Sequence, residues 1–382
     1  MKNLFRFMFV ATALVGAMSM SSCEPGDDTT NGGEELPLVL STVGGKTSIM
    51  ADGVDAIEFK VMQGDDDVTA ISRVCATENG VCLTMDADYR YFFSTSTPGN
   101  HEYHAYLIKD EMNADHPVSN SVFIEAADPF AFDATKKFHK TVAFFSFTAT
   151  WCGPCLLMKN GFDLFYQTPE YSDTAFTLNF HLSSSDPKVS SNICNGFFYN
   201  IIDDSRFDNP QGSIPYTIVG LNSEITGAKT NVAQNVPVIT ALYDAIMAAP
   251  AKTGVAMTSS IDGSAIGVNV AVAAKDAGTY QIGILLVEDG VKTNQVGFTG
   301  LYSHTGVLRD SKAANIFGEE FATMEAGQVE TKEYSFDIDP KYNAENLSVV
   351  VYTLVQNAGG KWLIDNSVKV PVGQTQEFRY AE

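Results

Sequence analysis

The sequence has few positive charges and, beyond its first residues, no long apolar run. Lys and Arg number 24 against 46 Asp and Glu, which gives a formal net charge of -22 at pH 7. Nucleic acids and bare anionic membranes bind clustered cations, so this balance excludes both as direct partners. A membrane-spanning helix needs about 20 consecutive apolar residues, and none is expected after the N-terminus.

The N-terminus is typical of a secretory signal peptide. Lys2 and Arg6 precede an apolar run over residues 7–18, and small residues then lead to Cys23. The segment before Cys23 resembles a bacterial lipobox, which predicts a signal peptide over residues 1–22 and acylation of Cys23. Several acyl chains on one cysteine would anchor the protein stably. The alternative is an ordinary cleaved signal with an incidental cysteine. Residues 23–37 are acidic and rich in Gly and Asp, so we expect a flexible tether there.

Hydrophobic periodicity divides the remainder into three regions. Residues 38–126 alternate apolar and polar side chains between turn motifs, which predicts an immunoglobulin-like β-sandwich. Residues 127–250 alternate strand and helix patterns, which indicates an α/β domain. Residues 251–382 return to period-two alternation, which favours a second β-sandwich of about seven strands. The expected fold class is therefore a multidomain chain with an α/β centre between two β-sandwiches.

The central region contains the motif Trp151-Cys152-Gly153-Pro154-Cys155. It follows an apolar run typical of a strand buried on both faces and precedes a segment with helical periodicity. The unpaired N–H groups at a helix N-terminus favour a thiolate at Cys152, lowering its pKa by roughly one unit. Pro154 is tolerated in the first turn. Cys155 lies one turn deeper and would close a disulfide with an accessible Cys152.

This motif resembles that of the thioredoxin family. The resemblance implies a cis-proline facing the cysteines, and Ile214-Pro215, at the start of a predicted strand, fits that position. It also implies that Cys152 and Cys155 are the redox pair, while Trp151, Ile214 and Pro215 contact an extended substrate peptide. No metal or cofactor is expected.

The resemblance also reveals two departures from the family pattern. Ser146 stands where thioredoxin has a buried aspartate, and Met158 stands where membrane-linked relatives have a glutamate. Without either carboxylate, deprotonation of Cys155 relies on water or a more distant group. A structural or vestigial disulfide is therefore one alternative. A zinc site would need two further ligands, and although Cys194 and His181 are present, the sequence has no second paired motif.

The remaining cysteines fit structural roles in an oxidising compartment. A four-residue hairpin loop after Ala76 would place Cys75 opposite Cys82, which predicts a structural disulfide. A tighter two-residue turn would offset the two thiols. Cys194 lies on an apolar helical face and is predicted to be a buried, inert thiol. His304 is interpreted as an ordinary loop or strand-end residue.

The order of parts indicates a wider resemblance. Residues 286–290, Asn294-Gln295, His304 and Leu308-Arg309 resemble motifs of the outer-membrane lipoprotein family named for its twenty-eight-kilodalton member. The resemblance covers roughly residues 129–382. It implies an outer-membrane lipoprotein facing the periplasm or the cell surface.

Two functions of different classes follow. The first is a thiol–disulfide oxidoreductase, of reductase or isomerase type, acting on exported proteins with electrons from an unidentified donor. The second is a surface or outer-membrane binding lipoprotein that uses the thioredoxin fold as a scaffold. The intact cysteine motif favours the first, and the missing carboxylates favour the second.

Overall fold

The computed structural model describes residues 36–111, 117–182, 191–209 and 211–381. The predicted signal peptide, Cys23 and most of the predicted tether lie outside these residues. Across the four described ranges, no helix has both the length and the apolar character needed to cross a membrane. The same ranges contain 22 strands and four α-helices, which confirms a predominantly β, multi-sheet architecture with few helices.

The N-terminal region forms two four-stranded sheets around one core. One sheet has the order β1-β3-β4 with β6 also paired to β3, and the other has the order β2-β8-β7-β5. The alternation at Ile57, Phe59 and Val61 buries these side chains between the sheets, where Phe59 contacts Tyr103 at 5.1 Å between ring centroids. The strands are β1 (Leu38–Thr42), β2 (Ser48–Met50), β3 (Ile57–Gln63), β4 (Asp66–Asp67), β5 (Ser72–Ala76), β6 (Tyr91–Phe93), β7 (Gly99–Leu107) and β8 (Val122–Ala127).

The central region alternates strands with helices. Strand β9 is flanked by β10 in parallel and by β11 in antiparallel orientation, and it is buried on both faces, as its apolar run predicts. The elements are β9 (Val142–Thr148), α1 (Gly153–Phe165), α2 (Pro169–Thr174), β10 (Ala175–His181), α3 (Ser191–Ile202), β11 (Tyr216–Val219), β12 (Ser223–Thr226) and α4 (Val236–Met247).

The last helix differs in detail from the sequence pattern. The spacing of Val238, Leu242 and Ile246 predicts the buried face of α4, yet these side chains are only partly buried. Ile239 and Tyr243 are the buried residues instead. Both sets of residues have helical spacing, so periodicity alone does not decide which set faces the core.

The C-terminal region contains ten strands where the sequence predicts about seven. A three-stranded sheet, β13-β14-β20, packs across a core shared with β15 and β21, and β16 and β17 form a separate hairpin. The strands are β13 (Thr253–Asp262), β14 (Ala265–Ala274), β15 (Gly278–Glu288), β16 (Val291–Asn294), β17 (Leu301–His304), β18 (Val307–Ser311), β19 (Glu319–Met324), β20 (Val329–Asp337), β21 (Leu347–Gln356) and β22 (Trp362–Pro371).

One sheet runs continuously from the central region into the C-terminal region. Its order is β12-β11-β9-β10-β18-β15-β21-β22, with β19 also paired to β15. The junction is the parallel pairing of Asn179 with Val307. Side chains from both regions share one core, in which Phe145 contacts Tyr352 at 5.2 Å between ring centroids. The two regions therefore form one packed unit across the predicted boundary at residue 250.

Candidate active site

The two cysteines of the motif lie at the start of α1. Strand β9 ends at Thr148, a short turn follows, and Cys152 is the N-cap of the helix. The backbone N–H of Cys155 donates to Cys152 Sγ at 3.2 Å, so that sulfur satisfies one of the unpaired donors of the first turn. Cys152 and Cys155 form a disulfide with a Cα–Cα distance of 5.3 Å.

The Ile214–Pro215 peptide bond is cis and lies beside this disulfide. Cys152 Sγ is 3.8 Å from the carbonyl oxygen of Ile214, and the Ile214 side chain packs against both cysteines. The structure thus brings together the Cys152–Cys155 pair and the proline loop, which are separated by about sixty residues in the chain.

An open cleft lies on the Trp151 side of the disulfide. It has a volume of about 340 Å³ and is lined by Trp151, Phe198, Tyr199 and Ile214 among others. The Trp151 side chain is 56% exposed, whereas Cys152 is only 4% exposed. The sequence predicts an accessible Cys152, but the disulfide-bonded residue is almost fully buried, because other parts of the chain pack over it.

Part of that cover comes from the β16–β17 hairpin. The Gln295 side-chain amide donates to the carbonyl oxygen of Cys152 at 3.0 Å, and the N–H of Val296 donates to the carbonyl oxygen of Thr150 at 2.8 Å. Sequence reasoning identified Gln295 as part of a family motif but predicted no contact with the cysteines. A contact across more than 140 residues leaves no periodic pattern in the sequence.

A second cavity, of about 270 Å³, lies on the other side of Cys155. Its wall includes Ser146, whose hydroxyl oxygen lies 3.4 Å from the hydroxyl oxygen of Thr217. Ser146 places a hydroxyl group here instead of a carboxylate. Met158 is directed away from this cavity into the core around Phe144. The charged groups of the wall are Lys159, Asp163, Asp289 and Lys369.

The charges in this cavity influence one another. Burial lowers the pKa of Lys159, and the neighbouring carboxylates of Asp163 and Asp289 oppose that shift. Lys159 Nζ lies 3.8 Å from Asp163 Oδ1 and 3.4 Å from the Thr305 hydroxyl. Asp289 is held by Lys369 Nζ at 2.7 Å. The cavity is therefore lined by Cys155 and by ionisable groups from both regions.

The other cysteines lie apart from this pair. Cys75 and Cys82 are directly opposed across a hairpin and form a disulfide with a Cα–Cα distance of 3.8 Å. Cys194 is a free thiol in the core shared by the central and C-terminal regions, and burial raises its pKa to about 12. In the described part of the chain, no group of three His, Cys, Asp or Glu residues could hold a metal ion.

Comparison with known proteins identifies the C-terminal part of the chain. Residues 210–376 match the family described as "Outer membrane protein Omp28". This match supports the Omp28-related family for residues 210–376 of the chain. The Omp28 region, residues 210–376, includes the cis-proline and the β16–β17 hairpin. The family confirms the predicted outer-membrane location.

Solved structures give a likeness in fold only. HBP35 of Porphyromonas gingivalis aligns with a TM-score of 0.50 and 14% identity over 65% of this chain and 80% of that protein. A domain of the outer membrane lipoprotein Omp28 from Porphyromonas gingivalis is 20% identical over 32% of this chain and 89% of that domain, with a TM-score of 0.24. No curated protein shows significant sequence similarity to the chain.

The Omp28 region also supplies a buried polar cluster next to β10. Arg309 Nε donates to Glu288 Oε2 at 2.8 Å, and both side chains are almost fully buried. His304, the last residue of β17, lies 4.9 Å from His181 between ring centroids. Burial, together with nearby Arg309 and Lys159, lowers the pKa of His181 to about 4. Glu288, His304 and Arg309 therefore lie where the central and C-terminal regions meet.

Proposed function

We propose that the protein is a lipid-anchored thiol–disulfide oxidoreductase, of reductase or isomerase type, that acts on cell-envelope proteins. The observation that carries this proposal is the Cys152–Cys155 disulfide at the N-terminus of α1, in contact with the cis Ile214–Pro215 loop. The outer-membrane family supports the cellular location. Anchoring through Cys23 is part of the proposal.

The reaction begins with the reduced pair. The Cys152 thiolate attacks one sulfur of a substrate disulfide, a mixed disulfide forms, and the other substrate sulfur leaves as a thiolate and takes up a proton. Cys155 then loses its proton and attacks Cys152 Sγ. The Cys152–Cys155 bond forms, and the second substrate sulfur is released. The substrate gains two electrons and the protein loses two, so a dithiol donor must reduce the protein again. Isomerisation uses the same attack without net electron transfer.

The helix-terminal position of Cys152 favours an attacking thiolate, while the residue is 4% exposed in the disulfide-bonded protein. As the N-cap of α1, its sulfur accepts the Cys155 N–H and lies at the positive end of the helix dipole, which favours the thiolate by about 1 kcal/mol. The cleft lined by Trp151, Phe198 and Ile214 offers apolar side chains next to the proline loop. An extended substrate chain in that cleft would pair with the backbone around Ile214 and Pro215.

The proposal assigns finer folds to the regions. We infer a thioredoxin-like domain over residues 127–250 and an immunoglobulin-like sandwich over residues 38–126, with a C-terminal β-sandwich over residues 251–382. The strand–helix order around β9 and α1 and the two facing N-terminal sheets support these assignments. The sandwiches would hold the redox domain away from the membrane, on its periplasmic or cell-surface side.

A second candidate is a binding lipoprotein that retains the redox domain as a scaffold. The observation favouring it is the cover over Cys152, which is 4% exposed and contacted through its carbonyl by Gln295. In that case the disulfide stabilises the start of α1 and the exposed cleft beside Trp151 takes a ligand.

Substrate trapping separates the two candidates. In a Cys155→Ser protein the mixed disulfide at Cys152 cannot be resolved, so exported proteins should accumulate as reducible adducts. The Cys152→Ser/Cys155→Ser double variant is the matched control and should trap none. Insulin reduction with dithiothreitol provides an independent activity assay. Equal yields of adduct from the single and double variants, with no insulin reduction by the unaltered protein, would favour the binding function.

A further inference from the structure

The cavity beside Cys155 has a polar lining that includes four charged side chains. Helix α1 contributes Lys159 and Asp163, and the Omp28 region contributes Asp289 and Lys369. Cys155 lines the same cavity. Ser146 occupies the wall position where the thioredoxin resemblance implies a carboxylate, so the ionisable groups around the resolving cysteine differ from that pattern.

Lys159 is the cation best placed to act on Cys155. It follows Cys155 by four residues in the same helix, so the two side chains lie on one face, one turn apart. Its side chain is only 17% exposed. Charges act more strongly in such a partly buried site than at the surface, because water screens them less.

The surrounding charges leave Lys159 only loosely neutralised. Asp163 Oδ1 is 3.8 Å from Lys159 Nζ, beyond hydrogen-bond distance. Asp289 accepts from Lys369 Nζ at 2.7 Å and from the N–H of Gly306 at 2.6 Å, so its negative charge is largely directed elsewhere. Lys159 Nζ also lies 3.4 Å from the Thr305 hydroxyl and 5.4 Å from the centroid of the Tyr302 ring, whose face favours a cation.

We propose that Lys159 is a positioning residue for the resolving step, in which its ammonium group stabilises the thiolate of Cys155. This inference rests on the proposed oxidoreductase function. The Cys155 proton passes to water in the cavity, the thiolate attacks Cys152 Sγ, and the released substrate sulfur takes up a proton. A cation thus takes the role of the absent carboxylate by a different means: it favours the ionised sulfur rather than accepting its proton.

The test is a thiolate titration that needs no substrate. In Cys23→Ser/Cys152→Ser protein, with the Cys75–Cys82 disulfide intact, Cys155 is the thiol that titrates by absorbance at 240 nm over pH 5–10. Cys194 does not interfere, because burial raises its pKa to about 12. Adding Lys159→Gln should raise the pKa of Cys155 and lower its thiolate fraction roughly tenfold at a fixed pH below that pKa. Lys159→Arg should restore most of the thiolate.

A variant that should shift the Cys155 pKa in the opposite direction distinguishes an electrostatic effect from structural damage. Asp163→Asn removes a negative charge beside Lys159 and should lower the pKa of Cys155, whereas a disturbed helix would move both variants in one direction. No shift in Lys159→Gln, or shifts of the same sign in both variants, would overturn the inference. Successful trapping with no shift would reject this role of Lys159 alone. A shift without trapping would reject the proposed function alone.

Discussion

Substitution of Gly306 tests the junction that makes one sheet of two regions. Gly306 has φ +59°, and a Cβ built on it would lie 2.3 Å from the carbonyl oxygen of Thr177, a contact that no side-chain adjustment relieves. Its own carbonyl accepts the N–H of Asn179 at 2.7 Å. Gly306→Ala must therefore move β10 and β18 apart.

The magnitude follows from two contributions. A left-handed backbone costs an alanine about 1–2 kcal/mol of unfolding free energy. Loss of the hydrogen bonds that Asn179 donates through its N–H to Gly306 and through its side-chain amide to the carbonyl oxygen of Thr305 adds about 1 kcal/mol each, so we expect a loss of about 3–4 kcal/mol. Gly263→Ala is the matched control, because Gly263 has φ +60° and no atom within 4 Å of its Cβ position. Gly263→Ala should lower the unfolding free energy by only about 1–2 kcal/mol.

Equilibrium urea unfolding of the oxidised protein, followed by far-UV circular dichroism and tryptophan fluorescence, measures both variants. Trp362 packs against the core shared by the two regions, so its emission should report the disrupted junction. Equal losses of unfolding free energy in Gly306→Ala and Gly263→Ala would refute the reasoning, because the clash at the junction would then cost nothing.

Three further predictions concern buried groups and the N-terminal disulfide. The pKa of His181 is lowered from 6.5 to about 4, so the unfolded chain binds a proton there at a higher pH than the folded chain does. Folding stability from this group is complete above pH 6.5, and about 3 kcal/mol of it is lost as the pH falls towards 4. His181→Asn should remove that part of the pH dependence of urea unfolding. Double Ser substitution of Cys75 and Cys82 should lower the unfolding free energy by about 2–3 kcal/mol, because the lost disulfide closes a short loop. An unchanged midpoint of thermal or urea unfolding would contradict this prediction. Arg309→Met should lower the unfolding free energy by about 3–5 kcal/mol, because it leaves the Glu288 carboxylate buried without its cation. Adding Glu288→Gln should recover much of this loss. A double variant no more stable than Arg309→Met would contradict this explanation.

Local features of the central region could be read from the sequence. The apolar run ending at Thr148 predicts β9, because only a strand covered on both faces tolerates it. The motif with Pro154 in the first turn predicts the start of α1. These predictions depend on side chains close together in the chain, where periodicity and capping rules apply.

Long-range features could not be read in this way. The pairing of Asn179 with Val307 joins strands separated by more than 120 residues, and no local pattern selects one apolar strand as the neighbour of another. The contact between Gln295 and Cys152 depends on that junction. For the same reason Lys159 looks like an ordinary helical lysine in the sequence, whereas the fold encloses it with groups from the Omp28 region.

The most direct test of the redox proposal is the pKa of Cys152 in the reduced protein. The rate of alkylation of Cys152 by iodoacetamide, followed by peptide mass spectrometry across pH 5–10, reports its thiolate fraction. The N-cap position predicts a pKa about one unit below the 8.5 typical of a free cysteine. A pKa at or above 8.5, or a Cys152 that resists alkylation in the folded reduced protein, would contradict the account.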